Sequence, residues 1–162
     1  MFADDAPDSE LSANMPQRER DLVEILLGAR KQYTSSHAAS SASDARIGMQ
    51  IRVMSYMRES QVATDWIGTV KTRGLTPDGE AWISIEIADG ITISTWQTQR
   101  EDQSAATLFL PHAKLFPVVQ SAKIGSPIIF SGTILKSVLA NDDEMVLRPQ
   151  FIARFSGLKL AQ

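Results

Sequence analysis

Apolar side chains return every three or four residues between Pro16 and about Ser60, and at alternate positions after Asp65. The first rhythm belongs to amphipathic helices and the second to half-buried strands. In the first stretch Leu22, Ile25, Leu26, Ala29 and Tyr33 share a face, while Arg18, Glu19, Glu24 and Arg30 occupy other angles. Ser12 or Asn14 can cap this helix, Pro16 suits its first turn, and early Glu19 and Asp21 with late Arg30 and Lys31 suit its dipole. A second helix is predicted from Asp44 to about Ser60, capped by Ser43 or Asp44. Ile47, Ile51 and Met54 form its apolar stripe, with Val53 and Met57 on the flank. Between the two, Thr34 to Ser43 is almost all Ser and Ala around His37 and reads as a linker, although alanine favours helix. Two such helices form an antiparallel pair whose apolar faces need cover from the rest of the chain. Residues 1–16, with Asp4, Asp5, Asp8 and Glu10, read as an acidic, poorly ordered tail. The helical segment is then 17–60 and the β segment 64–162.

In the β segment Trp66, Val70 and Thr72 alternate with Ile67, Thr69, Lys71 and Arg73, and Thr76-Pro77-Asp78-Gly79-Glu80 forms a turn. Ala81 to Ala88 is a second strand with Ile83, Ile85 and Ile87 on one side and Trp82, Ser84 and Glu86 on the other; Ile91 to Thr98 is a third. A two-residue loop at Asp89-Gly90 would set the apolar row of one strand against the polar row of the next. A three-residue loop, Ala88-Asp89-Gly90 with Gly90 in the left-handed conformation, instead pairs Ile87 with Ile91, Ile85 with Ile93 and Ile83 with Thr95. That register sets Trp82 opposite Trp96 on the polar face, where something must cover or bind them. Gln99 to Ala106 reads as a loop, Thr107 to Leu110 as a short strand, and Lys114 to Ala122 as a short helix stopped by Gly125. Pro127 to Leu139 is the fourth strand, in which Gly132 fits a bulge that bends it around a small barrel. After a turn at Ala140–Glu144, Met145 to Leu160 reads as one strand or two, with Pro149 at an edge or break and Phe151, Ala153 and Phe155 on one face.

Three strands, a short helix, then two strands with a glycine in the fourth: this order resembles the OB-fold, a five-stranded Greek-key barrel. The segment Lys123-Ile124-Gly125-Ser126-Pro127-Ile128-Ile129-Phe130-Ser131-Gly132 is similar to the opening of strand four in many OB-folds. The preceding helices, the Asp65-Trp66-Ile67-Gly68 start and the ending Pro149-Gln150-Phe151-Ile152-Ala153-Arg154-Phe155 resemble uncharacterised bacterial OB-like proteins that couple a helical segment to such a barrel. The resemblance covers residues 64–160 and implies an α+β, mainly β architecture: N-terminal amphipathic helices packed on the barrel. It transfers no activity.

Composition narrows the chemistry. There is no cysteine among the 162 residues, which removes thiolate catalysis, Cys-built zinc sites and redox pairs, and the two histidines, His37 and His112, are too few for a typical His-based metal site. No Gly-x-Ser-x-Gly elbow, phosphate-cradling glycine loop or His-Glu-x-x-His occurs, and Asp142-Asp143-Glu144 lies in a turn where charge favours solvent. No catalytic residue, metal or cofactor is expected. No apolar run approaches the length of a membrane span, and the start lacks the basic and apolar regions of a leader peptide, so a soluble chain is expected. Cytoplasm remains open, as do periplasm or secretion if a leader has been removed.

In OB-folds that bind oligonucleotides or sugars the ligand crosses strands two and three. Trp82 and Trp96 fall there, with Lys71, Arg73 and Arg100 nearby, and each base stacked on an indole contributes about 1–3 kcal/mol. Against nucleic acid, residues 64–162 hold nine basic and ten acidic side chains, and Glu86 lies on the same face. The plainer expectation is that the N-terminal helices pack on the tryptophan pair, giving both apolar surfaces their cover. Trp66 reads as core, and Arg46, Arg52 and Arg58 spread around their helix as a solvated face. The sequence therefore reads as a non-enzymatic binding or assembly module whose partner is a protein, either a second copy or another chain. Single-stranded nucleic-acid binding is the alternative. A hydrolase is the third class, because carboxylates gathered in space are invisible in a linear sequence.

Overall fold

The computed structural model describes residues 14–35, 39–138 and 143–160. Most of the acidic tail, His37 and Asp142 lie outside these residues. Two helices, α1 (Gln17–Ser35) and α2 (Ala39–Glu59), precede β1 (Val62–Leu75), β2 (Ala81–Ala88) and β3 (Ile91–Ser94). The short helices α3 (Gln99–Asp102) and α4 (Phe116–Ser121) follow, then β4 (Pro127–Ser137), a 3-10 turn (Asp143–Val146) and β5 (Gln150–Leu160). The strands close into a barrel in the order β1-β2-β3-β5-β4. All neighbours are antiparallel except β3 and β5, which run parallel.

The core fills the barrel and continues without a break beneath the helix pair. Trp66 is buried as its alternation predicts, edge-on to Phe130 at 6.1 Å, and Phe130 meets Phe155 edge-on at 5.6 Å. Phe151, Ala153 and Phe155 of β5 are all buried. The β2–β3 register agrees with the derived one through Ile85↔Ile93, Ser84↔Ser94 and Glu86↔Thr92. At the tip, Ala88 rather than Ile87 meets Ile91, the register shifting between Glu86 and Ala88, and Gly90 has φ +74. Gly132 sits at a register shift between β4 and β5, as expected of the bend. Pro149 marks the break that starts β5 at Gln150, so the segment after Met145 is one strand preceded by a 3-10 turn.

Several elements differ from expectation. The segment read as a linker is mostly helix: α1 runs to Ser35 and α2 starts at Ala39, because its alanines hold the helical conformation. β1 begins before Asp65, at Val62, and accommodates Asp65 at φ 51 in an irregularity between Ala63 and Trp66. β3 ends at Ser94, so Trp96 lies past the sheet, and Thr98 caps α3 inside the expected loop. Thr107 to Leu110 contributes a single bridge, Phe109 to Ala81.

The larger correction concerns the helix faces. In α2 the buried face is Ala45, Met49, Val53 and Tyr56, while Ile47, Ile51 and Met54 point outward. Tyr56 decides this. Its hydroxyl donates to the Arg18 carbonyl at 2.6 Å, and the Arg18 guanidinium sits 3.7 Å above its ring while bonding the carbonyls of Tyr56 and Ser60. In α1, Leu22, Leu26 and Ala29 are buried as expected, but Glu19 is buried with them. The helix pair packs on the 3-10 turn and on β1: Arg30 donates to the Leu147 carbonyl at 3.0 Å, and Glu19 Oε1 accepts from the Ile67 amide at 2.7 Å.

Candidate binding face

The outer face of β2 and β3 starts from small polar residues. Ser84 and Ser94 are cross-strand partners whose hydroxyls bond at 2.8 Å, and both are buried. At one margin stands Trp82, half-buried, opposite Gly74 of β1. A Cβ on Gly74 would come within 2.6 Å of Trp82 Cζ2, so the bare glycine lets the indole lie against the strand. At the other margin is Trp96, also half-buried, with Lys136 Nζ 5.4 Å from its ring centroid. The helix pair, expected over these rings, is seated on β1 and the 3-10 turn instead. No ring contact joins Trp82 to Trp96 among the described residues.

Trp96 is positioned from outside the sheet. Its amide donates to Thr107 Oγ1 at 2.9 Å, and Asp102 Oδ1 accepts from both the amide and the hydroxyl of Thr107 at 2.5 Å. Asp102 Oδ2 accepts from the Leu108 amide at 3.1 Å, and Arg154 holds the Ala105 carbonyl at 2.6 Å. This clamp supports Ala106 in a left-handed conformation, φ 53. Asp102→Ala strands two buried amides and a hydroxyl, and an expected loss of about 2–3 kcal/mol of stability is checked by equilibrium urea unfolding.

Two of the basic candidates, Lys71 and Arg73, bond to groups other than the tryptophans. Lys71 Nζ lies 3.5 Å from Glu86 Oε2, which also accepts from the Gly90 amide at 3.3 Å. Arg73 turns its Nε to the Ala122 carbonyl at 2.5 Å, beyond the end of α4. Arg100 is exposed on α3. Lys71 and Glu86 belong instead to a polar cleft of about 390 Å³ shared with Asp89, Thr92, Arg148 and Gln150. The sequence reading missed Lys136, Asp102 and this cleft. Lys136 reaches Trp96 only because β4 and β3 both flank β5, a proximity no local spacing reveals. For Asp102, the Thr98-to-Glu101 capping pattern marks the helix but not the clamp that follows it.

No cluster of His, Asp and Glu among the described residues could hold a metal ion, and His112 is exposed in its loop. No helix among the described residues is long and apolar enough to cross a membrane. Strand order, the parallel β3–β5 closure and a helix between β3 and β4 define the class: an OB-like closed barrel preceded by two helices, an architecture consistent with binding. No protein-family model, curated protein or solved structure matches the chain.

Proposed function

We propose that the chain is a non-enzymatic binding module that holds a protein partner on the β2–β3 face, with Trp82 and Trp96 as its anchors. The observation that carries this reading is the state of the two indoles: each is half-buried, each is backed by its own support, and the helix pair sits elsewhere. Rigid, partly desolvated tryptophans are typical of the residues that dominate protein interfaces. The charges of Lys71 and Arg73 are spent within the chain, and Glu86 and Asp89 line the neighbouring cleft, which favours protein over a phosphate backbone.

A second reading, single-stranded nucleic acid, rests on Lys136 beside Trp96. One experiment separates the two. A partner captured from native extract is purified and titrated against wild type, Trp82→Ala and Trp96→Ala; each variant should lose about 30-fold or more in affinity while remaining folded. In parallel, tryptophan emission is followed with mixed-sequence single-stranded DNA at low salt. Saturable quenching reversed by salt supports the nucleic-acid reading, and a captured partner that ignores both substitutions sinks the protein one.

A further inference from the structure

The outward face of α2 is independent of the barrel surface and has a pattern of its own. Ile47, Ile51 and Met54 are 46%, 62% and 58% exposed, a stripe diametrically opposite the buried Ala45, Met49, Val53 and Tyr56. Asp44 and Arg58, both exposed, continue the same stripe at its two ends. Gly48 borders it, and a Cβ built there would meet no atom within 4 Å. Scattered single apolar residues on a surface are ordinary, but three along one helical line are not.

We propose that this stripe is a self-complementary surface that pairs α2 with the α2 of a second copy, antiparallel about a two-fold axis at Ile51. An isologous pairing requires each residue to face the one equally far on the other side of the axis. Arg58 then faces Asp44 of the second copy, so each end carries one opposite-charge pair, related by the axis. Met54 faces Gly48, a knob over open space, Ile51 meets Ile51, and Ile47 faces Ser55. The parallel arrangement would instead stack Arg58 on Arg58 and Asp44 on Asp44. Among the described residues neither Asp44 nor Arg58 has an ion pair within the chain, so both are available to the second copy. A contact along one stripe of about 21 Å, from the rise of an α-helix, is smaller than a standard interface and gives a reversible, concentration-dependent dimer.

Sedimentation velocity on the full chain, from about one to several hundred micromolar, tests this. The wild type should shift from monomer to dimer across the range. Ile51→Glu should weaken the dimer about 30-fold or more, and Met54→Glu, at a second exposed position, guards against a folding artefact; both are checked by circular dichroism. Arg58→Asp and Asp44→Arg should each weaken it, and the double variant should recover most of the loss. A wild type that stays monomeric overturns the proposal and leaves the stripe to a different protein. A dimer that persists in Ile51→Glu, or a double charge swap no better than the single ones, overturns it as well.

Discussion

Gly132→Ala should abolish or severely weaken the fold. A Cβ at this position would collide with the Arg154 carbonyl oxygen and lie 2.9 Å from the Phe155 Cα. Both are backbone atoms of β5, so no side chain can swing aside to make room. The position is also where the β4–β5 register shifts, so relief would have to come from reopening the most extensive strand pair of the barrel. Overpacking of a well-filled interior costs about 1–3 kcal/mol, and a clash between two strands belongs at or beyond the top of that range. Marginally stable domains have about 5–15 kcal/mol in total. The urea midpoint of any soluble Gly132→Ala protein should therefore fall steeply, and an unchanged midpoint would show that the β5 backbone does not approach Gly132 as closely as described.

Glu19→Gln should remove a large pH dependence of stability. Glu19 is fully buried between α1 and β1; one carboxyl oxygen accepts from the Ile67 amide and the other has no hydrogen-bond partner. Burial pushes its pKa from 4.5 up to about 8, the Ile67 amide offsetting part of the rise. Nearby charge does not neutralise it, for Arg18 is directed to Tyr56, Ser60 and Glu59. The folded chain therefore retains a proton here that the unfolded chain loses from about pH 4.5 upward. In the window between 4.5 and about 8 the folded state binds more protons, so stability falls as pH rises. The loss is complete above the folded value, at a slope of about 1.4 kcal/mol per pH unit. Gln keeps the bond to Ile67 and cannot ionise. Unfolding curves of wild type and variant should nearly coincide at pH 4 and diverge by several kcal/mol at pH 9, with the variant more stable. Parallel curves would mean that water reaches the carboxyl.

Where one periodicity dominated, the sequence was readable. Alternation places Trp66 in the core, the Ile85↔Ile93 register follows from keeping one isoleucine row on one face, and Gly132 marks the β4–β5 register shift. Where two faces competed, it was not. In α2 the larger apolar residues Ile47, Ile51 and Met54 lost to Ala45, Met49, Val53 and Tyr56, because Arg18 fixes Tyr56 from another helix. Sequence alone marks Glu19 as an ordinary first-turn acid, since its burial depends on the barrel beneath α1. Of the candidate site, Trp82 and Trp96 are legible as indoles at strands two and three, but the cross-strand pair expected of them is not formed within the sheet, because β3 ends at Ser94. Their separate supports, Gly74 and Lys136, are not legible, because each comes from a strand distant in sequence.

The barrel closes on a short clasp: β3 meets β5 through three residue pairs, Thr92 to Gln150, Ile93 to Phe151 and Ser94 to Ile152. Every other seam is longer, so this one is the natural place for the ring to breathe, in the way local openings select the least-paired segments. Trp96 lies just past the end of that clasp, its amide held by Thr107, while Trp82 stands on the neighbouring strand opposite Gly74 of β1. Opening at this seam would part β3, with Trp96 beyond its end, from β5 while leaving the β2–β3 pairing intact.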